Sequence, residues 1–143
     1  MTTLYLDTSA LVKLYVEEEG RGSVFEAVER AQRLATSTVA YAEARAAFAR
    51  KRTIGDLDDE GHRQAVSDLD DEWRSFVRIP VSNLLAHRAG EMAERYALRG
   101  FDAIHLASAA RLQERVSDLR FMAFDDRLVE AARGASVPVY EEP

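Results

Sequence analysis

A chain of 143 residues and 16.0 kDa has the length of one ordinary domain and can bury about 68–70% of its unfolded surface, so no metal or disulfide is needed to hold a core. Hydrophobic residues make up 47% and charged residues 31%, with seven Gly, three Pro and no Cys; this excludes disorder, a turn-rich all-β protein, a disulfide framework and any thiolate chemistry. The net charge of −6, from 19 basic and 25 acidic residues, argues against binding nucleic acid through bulk charge, so any such role needs a local site.

Leu4-Tyr5-Leu6 is a short β-prone run ended by Asp7-Thr8-Ser9, after which Ala10, Leu11, Leu14 and Tyr15 recur at helical spacing. A second helix is expected from Ser23 to Ala31, a Thr- and Val-rich strand from Leu34 to Val39, and a helix from about Ala40 to Arg52 that stops at Gly55. Between Leu57 and Val77, the residues Val66, Leu69, Trp73, Phe76 and Val77 mark one face of an amphipathic helix, which Pro80 ends. Arg78 to Val81 is a weak strand candidate. Leu84 to Leu98 reads as a helix halted by Gly100, Ala103 to Val116 as an alanine-rich helix, Leu119 to Phe124 as strand, Arg127 to Ala132 as helix and Val137 to Tyr140 as a last strand. Strands alternating with helices predict a three-layer α/β/α domain spanning residues 1–143. Its sheet should be mostly parallel, of about five strands joined by right-handed crossovers. No apolar run approaches the ~20 residues of a bilayer span, and the first residues lack the basic and apolar regions of a signal peptide. A cytoplasmic protein without membrane contact is expected.

Parallel α/β sheets bind ligands outside the carboxyl ends of their strands, and acids recur there. Asp7 follows the first strand and Asp125 the Leu119 to Phe124 strand, Glu43 lies one turn inside the helix after the second strand, and Asp102 opens the helix after Gly100-Phe101. Glu43 shares a helical stripe with Val39, Ala46 and Ala47, a face expected to pack on the sheet, where a carboxylate is costly unless paired or bound to metal. Each acid also has a plainer reading: Asp102 and Asp125 as helix caps, Asp7 as a turn residue with Ser9 capping the next helix, Glu43 as the partner of an arginine on its own helix. Capping does not explain an acid on a buried face. Four converging carboxylates would repel and raise one another's pKa without a cation, and hard oxygen ligands of this kind suit Mg²⁺ or Mn²⁺.

At these residues the sequence resembles a known family. Leu6-Asp7-Thr8-Ser9-Ala10-Leu11-Val12-Lys13, Tyr41-Ala42-Glu43-Ala44-Arg45, Phe101-Asp102-Ala103-Ile104-His105-Leu106-Ala107-Ser108-Ala109 and Phe124-Asp125-Asp126-Arg127-Leu128 are similar to the four motifs of PIN-domain ribonucleases, in particular the VapC toxins of toxin–antitoxin pairs. The resemblance spans essentially the whole chain. It implies a PIN-like fold and a metal-dependent endoribonuclease whose site is Asp7, Glu43, Asp102 and Asp125. It also implies Mg²⁺ or Mn²⁺, an RNA substrate, a small cognate antitoxin and a homodimer. One departure stands out: the family often has Thr or Ser two residues before the last acid, where this chain has Ala123, and Asp126 is placed to share or replace the role of Asp125.

Among the other candidates, His105 follows Asp102 by one helical turn and would suit a general base, but a mid-helix histidine more often packs or hydrogen-bonds, so it stays outside the expected site. Ser9 reads as a helix cap near Asp7 rather than a nucleophile. Arg45, Arg50, Lys51 and Arg52 either hold RNA phosphates or form a solvated face paired with Asp56, Asp58, Asp59 and Glu60. Leu11, Tyr15, Trp73 and Phe76 read as core, and the resemblance gives the early helices to dimer and antitoxin contacts. Two rival functions follow. A phosphatase using an aspartyl-phosphate at Asp7 would want an acid where Ser9 stands; a PIN domain with a decayed site, kept for binding protein or RNA, is at odds with four intact acids.

Overall fold

In the computed structural model, which describes residues 2–143, four parallel strands form one sheet: β1 (Thr3–Leu6), β2 (Arg33–Ser37), β3 (Val77–Ile79) and β4 (Leu119–Met122). The order is β3-β2-β1-β4, with all pairs parallel. β1 is central and buried at every residue, as its unbroken apolar run requires. Alternation along it splits the core: Tyr5 joins Ala35, Phe121 and Ile79 on one face, while Leu4, Leu6 and Met122 look to the other.

Among the described residues seven helices cover the sheet. α1 (Thr8–Val12), α2 (Arg21–Arg30), α3 (Val39–Thr53) and α4 (Asp59–Trp73) supply the Leu4–Leu6 side, and α5 (Asn83–Tyr96), α6 (Gly100–Gln113) and α7 (Asp126–Gly134) the Tyr5 side. This is the expected three-layer α/β/α arrangement. Because the chain steps from β1 through β2 to β3 on one side and returns to β4 on the other, its direction reverses between β1 and β4. The carboxyl ends of those two strands therefore frame the crevice where such sheets bind ligands.

Two expectations change. The sheet has four strands rather than about five, since Val137 to Tyr140 makes only one parallel bridge, Phe121 to Val139. Pro138 has no N–H for a ladder, and Ser136, at φ 61°, turns the chain out of extended geometry just before the bridge. The amphipathic run also stops earlier than Pro80. α4 ends at Trp73, where the Ser75 amide and hydroxyl both donate to the Glu72 carbonyl. Phe76 then packs in the core and Val77 opens β3. Leu11 and Phe76 are core residues as expected, with Tyr15 and Trp73 packed partly buried against the same cluster. Among the described residues no helix is long and apolar enough to cross a membrane.

Candidate active site

Asp7 sits where β1 gives way to α1, held by its amide to the Met122 carbonyl of β4 at 3.1 Å. It is 4% exposed, and its Oδ1 accepts from the Ala10 amide at 3.0 Å and from the Ser9 hydroxyl at 2.7 Å. Asp7 is thus the N-cap of α1, and Ser9, expected to be that cap, instead steadies the carboxylate. Burial pushes the Asp7 carboxyl above its ordinary range and Asp102 adds to this, against the opposing pull of His105, Ser9 and the Ala10 amide.

Asp102 lies in the first turn of α6, whose N-cap is Arg99, so the capping reading of Asp102 does not hold. Burial raises its pKa, and so do the nearby charges of Asp125 and Glu43. Asp102, Asp125 and Asp126 line one cavity of about 310 Å³ together with Arg99 and Arg127. Asp102 and Glu43 line an adjoining hollow of about 490 Å³ with Arg99 and Phe101. Asp125 does cap its helix: Oδ1 accepts from the Arg127 amide at 2.8 Å and the Leu128 amide at 3.3 Å.

Glu43 departs most from expectation. The buried stripe of α3 is Ala40, Ala44 and Phe48, which leaves Glu43 on its margin with a quarter of its side chain exposed. Among the described residues its partners are Thr8 and His105, not an arginine. Oε1 accepts from Thr8 Oγ1 at 2.5 Å and from His105 Nε2 at 3.0 Å. Burial pushes this carboxyl up, but the two donors and the His105 ring outweigh it and hold the pKa below the ordinary range.

All four acids thus lie toward one end of the sheet: the charges of Asp125 and Glu43 act on Asp102, and that of Asp102 acts on Asp7. The family model of the PIN domain matches residues 4–134. The chain belongs to the PIN-domain family. It is 32% identical over 139 residues to Ribonuclease VapC45 and to Ribonuclease VapC49 of Mycobacterium tuberculosis, covering 97% of this chain and 95% of each relative. Ribonuclease VapC46 of that species is 31% identical over 97% of both chains. A toxin–antitoxin complex from Klebsiella pneumoniae shares the fold, with a TM-score of 0.60 at 19% identity over 85% of this chain and 86% of that one.

PIN-domain nucleases imply a divalent ion, and the residues here fit one by the chemistry of their donors. Asp7 and Asp102 are carboxylates disfavoured as anions by burial and by neighbouring acids, a cost that a cation removes. Among the described residues no three His, Asp or Glu side chains close tightly enough to enclose a metal unaided. An open arrangement suits Mg²⁺, which keeps several waters and takes one or two carboxylates plus substrate phosphate oxygens.

The basic cluster of this PIN domain has side-chain partners other than Asp56, Asp58, Asp59 and Glu60. Lys51 pairs with Glu18 at 2.7 Å, Arg45 donates to Tyr41 and Arg52 lies against His62. Arg50 instead lines a groove of about 1000 Å³ that begins at Thr8 and Glu43 and is bordered by Ile54, Arg99 and Phe101. Sequence reasoning left out His105, Thr8 and Arg99. The first two bond Glu43, and Arg99 borders three hollows that Glu43, Asp102 or Asp125 also line.

Proposed function

We propose that this PIN-domain protein is a metal-dependent endoribonuclease and the toxin of a toxin–antitoxin pair. The observation that carries the reading is the placement of Asp7 after β1, Asp125 at the start of α7 and Asp102 in the first turn of α6, with Asp102 lining one hollow with Asp125 and another with Glu43, in a chain 32% identical to two VapC ribonucleases over most of its length. Asp7, Asp102, Asp125 and Glu43 would hold Mg²⁺ or Mn²⁺. When bound, such an ion polarises the phosphoryl oxygen, lowers the pKa of the attacking water and balances charge on the leaving 3′-oxygen. The chain's own part is to aim the carboxylates. Ser9 and the Ala10 amide fix Asp7, the amides of α7 fix Asp125, and Arg99 and Arg50 border the cleft as phosphate contacts. No protein nucleophile is required.

The partner follows from charge. An acidic cleft continuous with a groove edged by Ile54, 70% exposed, and Phe101, 55% exposed, suits a small antitoxin that lays apolar residues in the groove and a basic side chain among the carboxylates. The free toxin would be a homodimer acting in the cytoplasm.

Cleavage of total RNA in Mg²⁺, in Mn²⁺ and in EDTA by the wild type, Asp7→Asn and Asp102→Asn tests the reaction. Cleavage should vanish in EDTA and in both variants while their circular dichroism stays native. Wild-type rates from folded Asp7→Asn would remove the mechanism. Co-expression with the small reading frame beside the gene tests the partner: a bound complex should form, its inhibition should weaken as Mg²⁺ rises, and the absence of any complex would overturn the toxin reading.

A further inference from the structure

His105 is 1% exposed and bonded at both ring nitrogens, to three residues far away in the chain. Nδ1 lies 2.8 Å from the Tyr5 hydroxyl, while Nε2 lies 2.9 Å from Thr8 Oγ1 and 3.0 Å from Glu43 Oε1. The protons can be assigned by counting. Glu43 Oε1 belongs to a carboxylate and only accepts. Thr8 has one hydroxyl proton, given to Glu43 at 2.5 Å, so its oxygen offers only lone pairs to the ring. Both neighbours of Nε2 are therefore acceptors, and Nε2 must carry a hydrogen whatever the state of Nδ1. The phenol of Tyr5, its pKa raised well above the ordinary value by burial, keeps its proton and anchors the other side of the ring.

Both donors to Glu43 end on the same oxygen. Among the described residues no donor reaches Oε2, and Glu43 lines the hollow it shares with Asp102. We propose that His105 is a positioning residue: with Thr8 it grips Glu43 by Oε1, so that Oε2 is presented to the cleft as a ligand for a divalent cation. A ligating group whose other face is held by a buried donor loses little freedom on binding, and removing such an outer partner typically costs about 10–100-fold in metal affinity. The inference rests on the metal-nuclease reading of the site.

Calorimetric titration of the full chain with Mn²⁺ alone provides the test, with four variants: His105→Ala, His105→Gln, Glu43→Ala and the double variant His105→Ala/Glu43→Ala. His105→Ala should weaken Mn²⁺ binding by about 10–100-fold, and His105→Gln, whose side-chain amide keeps an N–H close to the Nε2 position, should recover at least half of that loss on a logarithmic scale. In the Glu43→Ala background the histidine change should cost less than about twofold, because the residue through which it acts is gone. A merely structural histidine would cost the same in both backgrounds, and that result overturns the proposal, as does wild-type affinity in folded His105→Ala or no Mn²⁺ binding by the wild type. Should His105→Ala fail to fold, ¹⁵N NMR of the wild-type imidazole decides: a protonated Nε2 supports the assignment and a bare Nε2 overturns it. Intact coupling of His105 and Glu43 in a protein that cuts no RNA would support the positioning role and remove only the nuclease reading.

Discussion

Two substitutions at Asp125 separate its two jobs. Asp125→Ala strips the acceptor of the Arg127 and Leu128 amides, leaving the first turn of a helix whose Leu128, Ala131 and Ala132 are core residues without its cap. Such a loss costs about 1 kcal/mol, whereas Asn keeps the carbonyl oxygen and caps about as well as Asp. The charge itself adds two opposed effects: an anion at a helix N-terminus gains about 0.3–1 kcal/mol, and the neighbouring Asp102 charge opposes that gain. Unfolding entropy of about 2.1 cal/mol/K per residue over 143 residues translates 1 kcal/mol into about 3 °C. In EDTA, calorimetry should therefore find Asp125→Ala melting about 3 °C below the wild type and Asp125→Asn within about 1 °C. Both should lose Mg²⁺-dependent RNA cleavage. An Asn variant that melts as low as the Ala variant would refute the capping account, and an Asn variant that cleaves normally would transfer the ligand role to Asp126.

Phe48→Ala, at a position with no solvent exposure, should cost about 3–5 kcal/mol in urea unfolding, whereas Phe101→Ala, at a position 55% exposed, should stay within about 0.5 kcal/mol. Glu18, whose burial is outweighed by bonds from Lys13 and Lys51, has its pKa lowered, so its contribution is complete above the ordinary glutamate range and lost as pH falls through the lowered value. Glu18→Gln should accordingly flatten the acid side of the stability profile in chemical denaturation, and an unchanged profile would show the triad to be inert. With Arg50 and Arg99 as the phosphate contacts, RNA binding by Asp7→Asn should fall with salt at a slope of about −1.4; fluorescence anisotropy giving a slope steeper than about −4 would reveal a basic track elsewhere.

The central strand was legible because burial on both faces leaves the apolar run Leu4–Leu6 with Asp7 directly after it, whereas the last paired strand, expected to reach Phe124, stops at Met122, so that Asp125 stands three residues beyond it. Glu43 was legible as a residue but not in its surroundings. A shift of one position in the packed stripe, to Ala40, Ala44 and Phe48, moves it from the buried face to the margin, and helical periodicity alone does not set that rotation. His105 was passed over for a similar reason. Its partners lie 62, 97 and 100 residues away in the chain, so nothing local distinguishes it from a packing histidine. The last strand failed because Pro138 and Ser136 limit pairing to a single bridge, an effect that the β-prone character of Val137 and Val139 conceals.

The place of β1 between β2 and β4 also orders events during synthesis. The ribosome delivers Asp7 with the first strand, yet the neighbour that completes the crevice, β4 with Asp125 behind it, follows only from Leu119 onward. Every chain halted before residue 119 lacks a wall of the cleft and one of its four carboxylates. On the proposed reading, a cell translating this message meets no active product until β4 has emerged, and fragments that end before it are harmless.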